Sequence, residues 1–264
     1  MKTTLMSLLV LISAVVPARA AAHDPAALFT VLTRVRDAAT AGEKPVVILD
    51  LDDTLIDAGS RTLRILREVA AEPAIDAAHP GLAARLAALP REAVRYDLGE
   101  NMRMLEVADA TSIARFKEAW LARFFTSAYC RLDDANPGAA TYVTALHAAG
   151  AHVIYLTGRD EGRMGDGTRQ NLMASGFPLD ASAELILKQD PAQDDTAFKI
   201  QVFERLRALG RVVAGFENEP RNVNAMGDAF PDAQMVFVDT RHSANPDVPH
   251  ADIPWVADFR TARR

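Results

Sequence analysis

Val46-Val47-Ile48-Leu49-Asp50-Leu51-Asp52-Asp53-Thr54-Leu55 is the stretch that decides how this chain is read. Its unbroken apolar run, rich in β-branched residues, predicts a strand covered on both faces, as in a parallel sheet between helices. The strand ends on Asp50, Asp52 and Asp53, three carboxylates within four positions. Like charge gathered at the mouth of a buried strand is costly unless a cation or ligand compensates it. The loop therefore reads as a site, in preference to a solvated turn with acidic caps.

Working outward, further short apolar runs at 152–156, 184–187, 211–215 and 235–239 join 45–50 as buried strands. Between them lie helical patterns at 139–149, 168–175 and 197–209, each followed by a glycine (Gly150, Gly176 and Gly210), the usual stop signal. The alternation implies an α/β fold, a Rossmann-like parallel sheet whose ligands bind beyond the carboxyl ends of the strands. From 61 to 132 there are helical patterns only, at 61–71, 82–89 and 112–129, so a helical cap is expected between the first and second core strands. Within it, Ile113, Phe116, Trp120, Phe124 and Phe125 recur at helical spacing and read as cap core. The expected division is a leader over 1–20, a core formed by 21–57 and 135–264, and a cap over 58–134.

The leader rests on Lys2, an apolar run over 5–16 and Ala18-Arg19-Ala20, the layout of a secretory signal peptide. Export to a periplasmic or secreted location follows, with the mature chain beginning at Ala21 or His23. That run is short for a membrane span, which needs roughly 20 apolar residues, so no stable membrane association is expected after cleavage. Removing Lys2 and Arg19 from 29 basic residues leaves 27 against 35 acidic ones and no basic stripe, which argues against nucleic acid as a partner. Cys130 is the one cysteine, so no intramolecular disulfide is possible and stability rests on an apolar core.

The order Asp50-x-Asp52-x-Thr54 after an apolar strand resembles the first motif of the haloacid dehalogenase (HAD) superfamily of phosphatases. The resemblance implies that Asp50 attacks phosphorus, that Asp52 protonates the leaving oxygen and later activates water, and that Thr54 orients Asp52. It assigns Asp53 no catalytic role and leaves it to face away or cap the loop. Leu156-Thr157-Gly158-Arg159 is similar to the second motif, in which Thr157 and Gly158 bind the phosphoryl group and Arg159 either adds positive charge or forms a structural ion pair. For the third motif two lysines compete, Lys199 at the start of a helix and Lys188 at a strand end; Lys199 is favoured because the spacing resembles the secreted acid phosphatase branch.

The fourth motif departs from the family pattern. Where relatives carry Gly-Asp and a further aspartate, this chain reads Phe216-Glu217-Asn218-Glu219-Pro220-Arg221-Asn222. The resemblance implies Mg2+ held by Asp50, Asp52 and either Glu217 or Asn218, with Asn222 completing either register and Glu217 preferred for its charge. After the last strand, the polar loop 239–243 approaches the same edge, with His242 a possible supporting group.

The expected activity is hydrolysis of a small phosphate monoester through an aspartyl-phosphate. Two alternatives stay open: a phosphate-binding protein whose metal site has decayed, and a dehalogenase, against which Asp52 counts. The identity of the ester and the oligomeric state are not written in the motifs.

Overall fold

A computed structural model describes residues 23–261; the expected leader lies outside them. In chain order the elements are α1 (Ala27–Thr40), β1 (Pro45–Leu49), β2 (Ile56–Asp57), α2 (Ala58–Ala70), α3 (Pro73–Ala78), α4 (Leu82–Ala88), α5 (Leu98–Met104), α6 (Ala110–Phe124), α7 (Ser127–Cys130) and β3 (Asp134–Ala135). They continue with α8 (Ala139–Ala148), β4 (His152–Asp160), α9 (Glu161–Ala174), β5 (Ala183–Lys188), α10 (Asp195–Leu209), β6 (Arg211–Glu217), α11 (Pro220–Ala229), β7 (Gln234–Val238) and β8 (Trp255–Val256).

Six strands form one parallel sheet in the order β5-β4-β1-β6-β7-β8. Successive residues of a strand face opposite sides, and β1 obeys this strictly. Val47 and Leu49 join the core beneath α1 and α8, whereas Val46 and Ile48 join the one beneath α10 and α11. Each such side chain removed from water stabilises the fold by roughly 1.5–3 kcal/mol. This double burial is why β1 reads as a continuous apolar run.

The chain leaves β1, builds β4 and β5 on one side, then returns to place β6 on the other side of β1. A reversal of this kind leaves a crevice at the carboxyl end of the central strand. The helices α2 to α7 are inserted there, and their apolar core is separate from the two beneath the sheet, with Leu66, Val69, Leu86, Met102 and Phe116 at its centre. At the base of the insert β2 and β3 pair antiparallel, through Ile56 with Ala135 and Asp57 with Asp134.

Several elements extend beyond their sequence signals. The helix expected over 168–175 begins at Glu161, because Asp160 caps it by accepting from the Arg163 backbone N–H at 2.9 Å. Its glycines obscured the pattern. One of them, Gly167, packs so closely on α7 that a Cβ would overlap the Ser127 backbone. The stretch read as one helix over 112–129 breaks after Phe124, because Thr126 is extended. Gly210 stops α10 for a reason other than a left-handed turn: its backbone is extended, and a Cβ there would collide with the Lys44 carbonyl. The sequence reading did not include four helices (α1, α3, α5 and α11) or the two-residue strands β2, β3 and β8.

Candidate active site

The site begins where β1 ends. The Asp50 backbone N–H donates to the Phe216 carbonyl of β6 at 3.0 Å, and the Leu51 carbonyl then accepts from the N–H groups of Thr54, Leu55 and Ile56 at 3.1, 2.9 and 2.8 Å. The loop is thus wound on itself, with Asp53 in the left-handed region at φ 59. A cavity of about 300 Å³ opens above it, lined by Asp50, Asp52, Thr157, Arg159, Lys199 and Glu217 among others.

Of the two candidate lysines, Lys199 reaches the first aspartate. Its Nζ donates to Asp50 Oδ1 at 2.7 Å and to Glu217 Oε2 in a second short contact. Lys188 lines the same cavity but holds the loop after its own strand, donating to Asp195 at 2.6 Å and to the Gln193 carbonyl at 2.9 Å. Asp50, Glu217 and Lys199 are all buried, so two carboxylates share one ammonium out of water. Burial raises the Asp50 carboxyl above its usual range against the pull of Lys199. Burial, reinforced by the Asp50 charge, pushes Glu217 up to about 8. Burial opposes the Lys199 charge, but the two carboxylates outweigh it and raise its pKa.

Asp52 stands in a second ionic cluster. Its carboxylate accepts from Arg159 Nε at 2.8 Å, Arg159 Nη2 at 2.7 Å and Arg61 Nη2 at 3.0 Å. Both guanidiniums also bind Asp133, which has no exposed side-chain surface. Burial disfavours the Asp52 charge, yet the two arginines prevail and hold the carboxyl well below its ordinary range. In this state Asp52 has no proton to donate, and the acid role expected of it requires its release from Arg61 and Arg159. Of the two roles open to Arg159, the ion pair is the one seen here.

Other expected residues also depart from their motif roles. Thr54 Oγ1 does not orient Asp52; it donates to Asn218 Oδ1 at 3.0 Å. The Asn218 amide in turn donates to the Arg241 carbonyl at 2.5 Å, so both ends of Asn218 are engaged in holding loops together. Asn222 Oδ1 accepts from Thr196 Oγ1 at 2.6 Å. Thr157 is buried at the end of the apolar part of β4 and accepts from the Arg159 N–H at 3.2 Å. At Gly158 a side chain would strike the Asp195 carboxylate, which accounts for the glycine.

Asp53 caps the loop. It accepts from the Ala58 N–H at 3.1 Å and from Arg241 at 2.6 Å, and burial pushes its carboxyl up to about 6 in spite of that arginine. His242 is turned away, with Nδ1 against the carbonyl of Ser243. Of the residues read as cap core, Trp120 and Phe124 pack against it and also line the cavity, Phe125 lines the cavity without joining that core, and Phe116 is fully buried.

Arg61, Asp133 and Arg241 escaped the sequence reading. Arginines and aspartates in cap and tail segments carry no periodic or motif signal of their own. Only the loop 239–243, with its concentration of polar residues after a strand, pointed toward one of them.

The donor set suits a hard divalent cation. Seven acids line the cavity (Asp50, Asp52, Asp53, Asp160, Asp195, Glu217 and Glu219), against six basic groups (Arg95, Arg159, Arg163, Lys188, Lys199 and Arg241). Two of the acids, Asp50 and Glu217, share the single ammonium of Lys199. No cluster of three or more His, Cys, Asp or Glu ligands occurs among the described residues. Magnesium needs fewer, since it takes one or two carboxylates and fills its octahedron with water and substrate oxygens.

Comparison with known proteins places this geometry in a family. The model of the haloacid dehalogenase-like hydrolases matches residues 44–236, and the chain belongs to that family. It is a HAD-like hydrolase whose sheet is the Rossmann-like core of the group. Among solved structures, a candidate phosphatase from Clostridium difficile is 11% identical with a TM-score of 0.51, over 76% of this chain and 88% of that one. Mycobacterium tuberculosis protein tyrosine kinase A is 17% identical with a TM-score of 0.50, over 81% and 94%. The class C acid phosphatase from Bacillus anthracis is 17% identical with a TM-score of 0.42, over 75% and 64%. Likeness of this size concerns the fold and singles out no branch, the secreted acid phosphatases included. No curated protein sequence matches the chain.

The arginine cluster makes a measurable prediction. Asp133→Asn leaves two buried guanidiniums facing one carboxylate, an uncompensated charge that should cost about 3–5 kcal/mol. Urea unfolding of the purified variant measures it, and a loss below about 1 kcal/mol, the size typical of a solvated pair, would contradict the burial argument.

Proposed function

We propose that this HAD-family hydrolase cleaves small phosphate monoesters by transferring the phosphoryl group to Asp50. The observation that carries the reading is the ammonium of Lys199, 2.7 Å from Asp50 at the carboxyl end of the central strand, inside a cavity that also presents Thr157. A buried carboxylate is poorly solvated and so retains its nucleophilicity, while Lys199 offsets the repulsion between it and an incoming phosphate. An Asp50 oxygen forms a bond to phosphorus, the ester P–O bond breaks, and the alcohol departs with its electron pair and a proton. Water then attacks the aspartyl-phosphate, releasing inorganic phosphate and restoring the Asp50 carboxylate.

We assign both proton transfers to Asp52: once parted from its arginines it takes up a proton from solvent, gives it to the departing alcohol, and then accepts one from the attacking water. A phosphate dianion beside Arg159 competes for that guanidinium and so favours the release. Magnesium would be held by Asp50 and Glu217, and when bound it would supply positive charge to phosphoryl oxygens and nucleophile alike; the Asp52 carboxylate, expected as a further ligand, is held by Arg61 and Arg159 instead. Glu217 is the preferred protein ligand because it can carry a negative charge, although its Oε1 accepts from the Asn218 and Glu219 N–H groups and its Oε2 from Lys199; Asn218 offers a neutral oxygen that already accepts from Thr54.

Asp50→Asn should reduce turnover of 4-nitrophenyl phosphate by a factor of roughly 10³ or more in a folded protein, because an amide forms no acyl-phosphate. Near wild-type turnover would end the nucleophile assignment. In the same assay Glu217→Gln should raise the magnesium concentration for half-maximal activity more than Asn218→Ala does; the reverse order would put the metal ligand one residue further along. We further propose that the protein acts outside the cytoplasm, on the strength of Lys2, the apolar run and Ala18-Arg19-Ala20. Amino-terminal sequencing of material expressed from the full gene should begin at Ala21 or His23, and a sequence still beginning at Met1 would count against export.

A further inference from the structure

The cavity has two chemistries. Its floor is ionic, and its cap wall carries four aromatic rings, those of Tyr96, Trp120, Phe124 and Phe125. Two of the four have structural work elsewhere. Trp120 and Phe124 stack at 4.2 Å and pack against the cap core; the Trp120 indole N–H also donates to Thr62 at 3.1 Å, and Phe124 lies beneath Arg61 at 4.3 Å.

Phe125 and Tyr96 have no such place. Neither belongs to any of the three apolar cores, and Tyr96 is 58% exposed. Phe125 is the residue on which α6 stops, and Thr126 after it is extended, so the ring escapes the helical stripe that buries Phe116. It meets Phe124 and Trp120 edge-on at 5.0 and 5.5 Å, with the guanidinium of Arg163 over it at 5.5 Å. Aromatic surface left facing a cavity is characteristic of a binding site, since contact with water there gains nothing for the fold.

We propose that this wall receives a flat, unsaturated ring on the leaving group, so that the substrates are phosphate monoesters of ring-bearing alcohols, with Phe125 and Tyr96 as specificity-determining residues. The assignment rests on the phosphohydrolase reading of the floor. Aromatic faces offer a polyol few partners, and a sugar phosphate pressed against them would leave hydroxyls desolvated and unpaired. Ring-on-ring contact has no such penalty and carries an orientation preference of its own. The volume of about 300 Å³ is at the small end for ligand sites, which suits a phosphoryl group and a compact ring system.

Benzyl phosphate and cyclohexylmethyl phosphate test this directly, because their alcohols are similar in size and in acidity and differ chiefly in the π face. With the full mature chain and added magnesium, kcat/KM should favour the benzyl ester roughly tenfold. Phe125→Leu should bring that ratio close to one. Tyr96→Leu, at an exposed position where folding is not at stake, should lower it as well. A wild-type ratio near unity, or a ratio unmoved by either substitution, overturns the aromatic subsite while leaving the hydrolase intact. No turnover of either ester by the wild type overturns both readings together.

Discussion

Lys199 donates at once to Asp50 and Glu217, and much of the core can be understood as the means of keeping those three side chains in contact. They come from three elements: the end of β1, the end of β6 and the first turns of α10. Two carboxylates facing each other out of water would repel strongly, and each alone would pay several kcal/mol in lost hydration. The ammonium makes their proximity tolerable, and the raised pKa values of both carboxyls record the lost hydration and repulsion that it does not offset.

Two arginine clusters extend the same logic to the junction between core and cap. Arg61 comes from the first cap helix, Asp133 from the cap's return segment and Arg159 from β4, so their mutual pairing ties cap to sheet through charge. Arg241 does so from the tail: it binds Asp53 in the nucleophile loop and Asp57 at the start of α2, and it reaches the Arg91 carbonyl at 3.4 Å. Gly59 is part of this arrangement, since a Cβ there would stand 2.6–2.8 Å from the Arg241 guanidinium. The cap is therefore placed by interactions that also hold Asp52 and Asp53, which makes cap position and the state of the aspartate loop interdependent.

The linkage also bears on Asp52. A motif assigns this residue to proton transfer, but its charge is stabilised here by two guanidiniums, the opposite of what a proton donor needs. Its side chain is 32% exposed, unlike those of Arg61, Arg159 and Asp133, and together with Arg159 it lines the cavity. In the proposed reaction the cluster is a resting arrangement whose exposed corner a dianionic substrate would disturb.

The sequence by itself determined the parallel sheet and the position of the helical insert, and it singled out the aspartate loop after β1 as the candidate site. Each depends on local patterns: apolar runs such as 45–49 report burial on both faces, and Asp50, Thr157 and Lys199 each lie at the end of such an element or just inside a helix. Tertiary structure alone decided which side chains meet. Motif spacing favoured Lys199 over Lys188, but the contact of Lys199 with Asp50 spans 149 residues, and the engagement of Asn218 by Thr54 and Arg241 joins positions 164 and 23 residues away. The same holds for the aromatic stripe of α6, whose periodicity gave Phe116 correctly as core. It could not say that the helix ends at Phe124, because the extended Thr126 that redirects Phe125 into the cavity leaves no trace in a 3.6-residue repeat. Periodicity records which face of an element is dry; whether that face meets another helix or a bound molecule depends on contacts made across the fold.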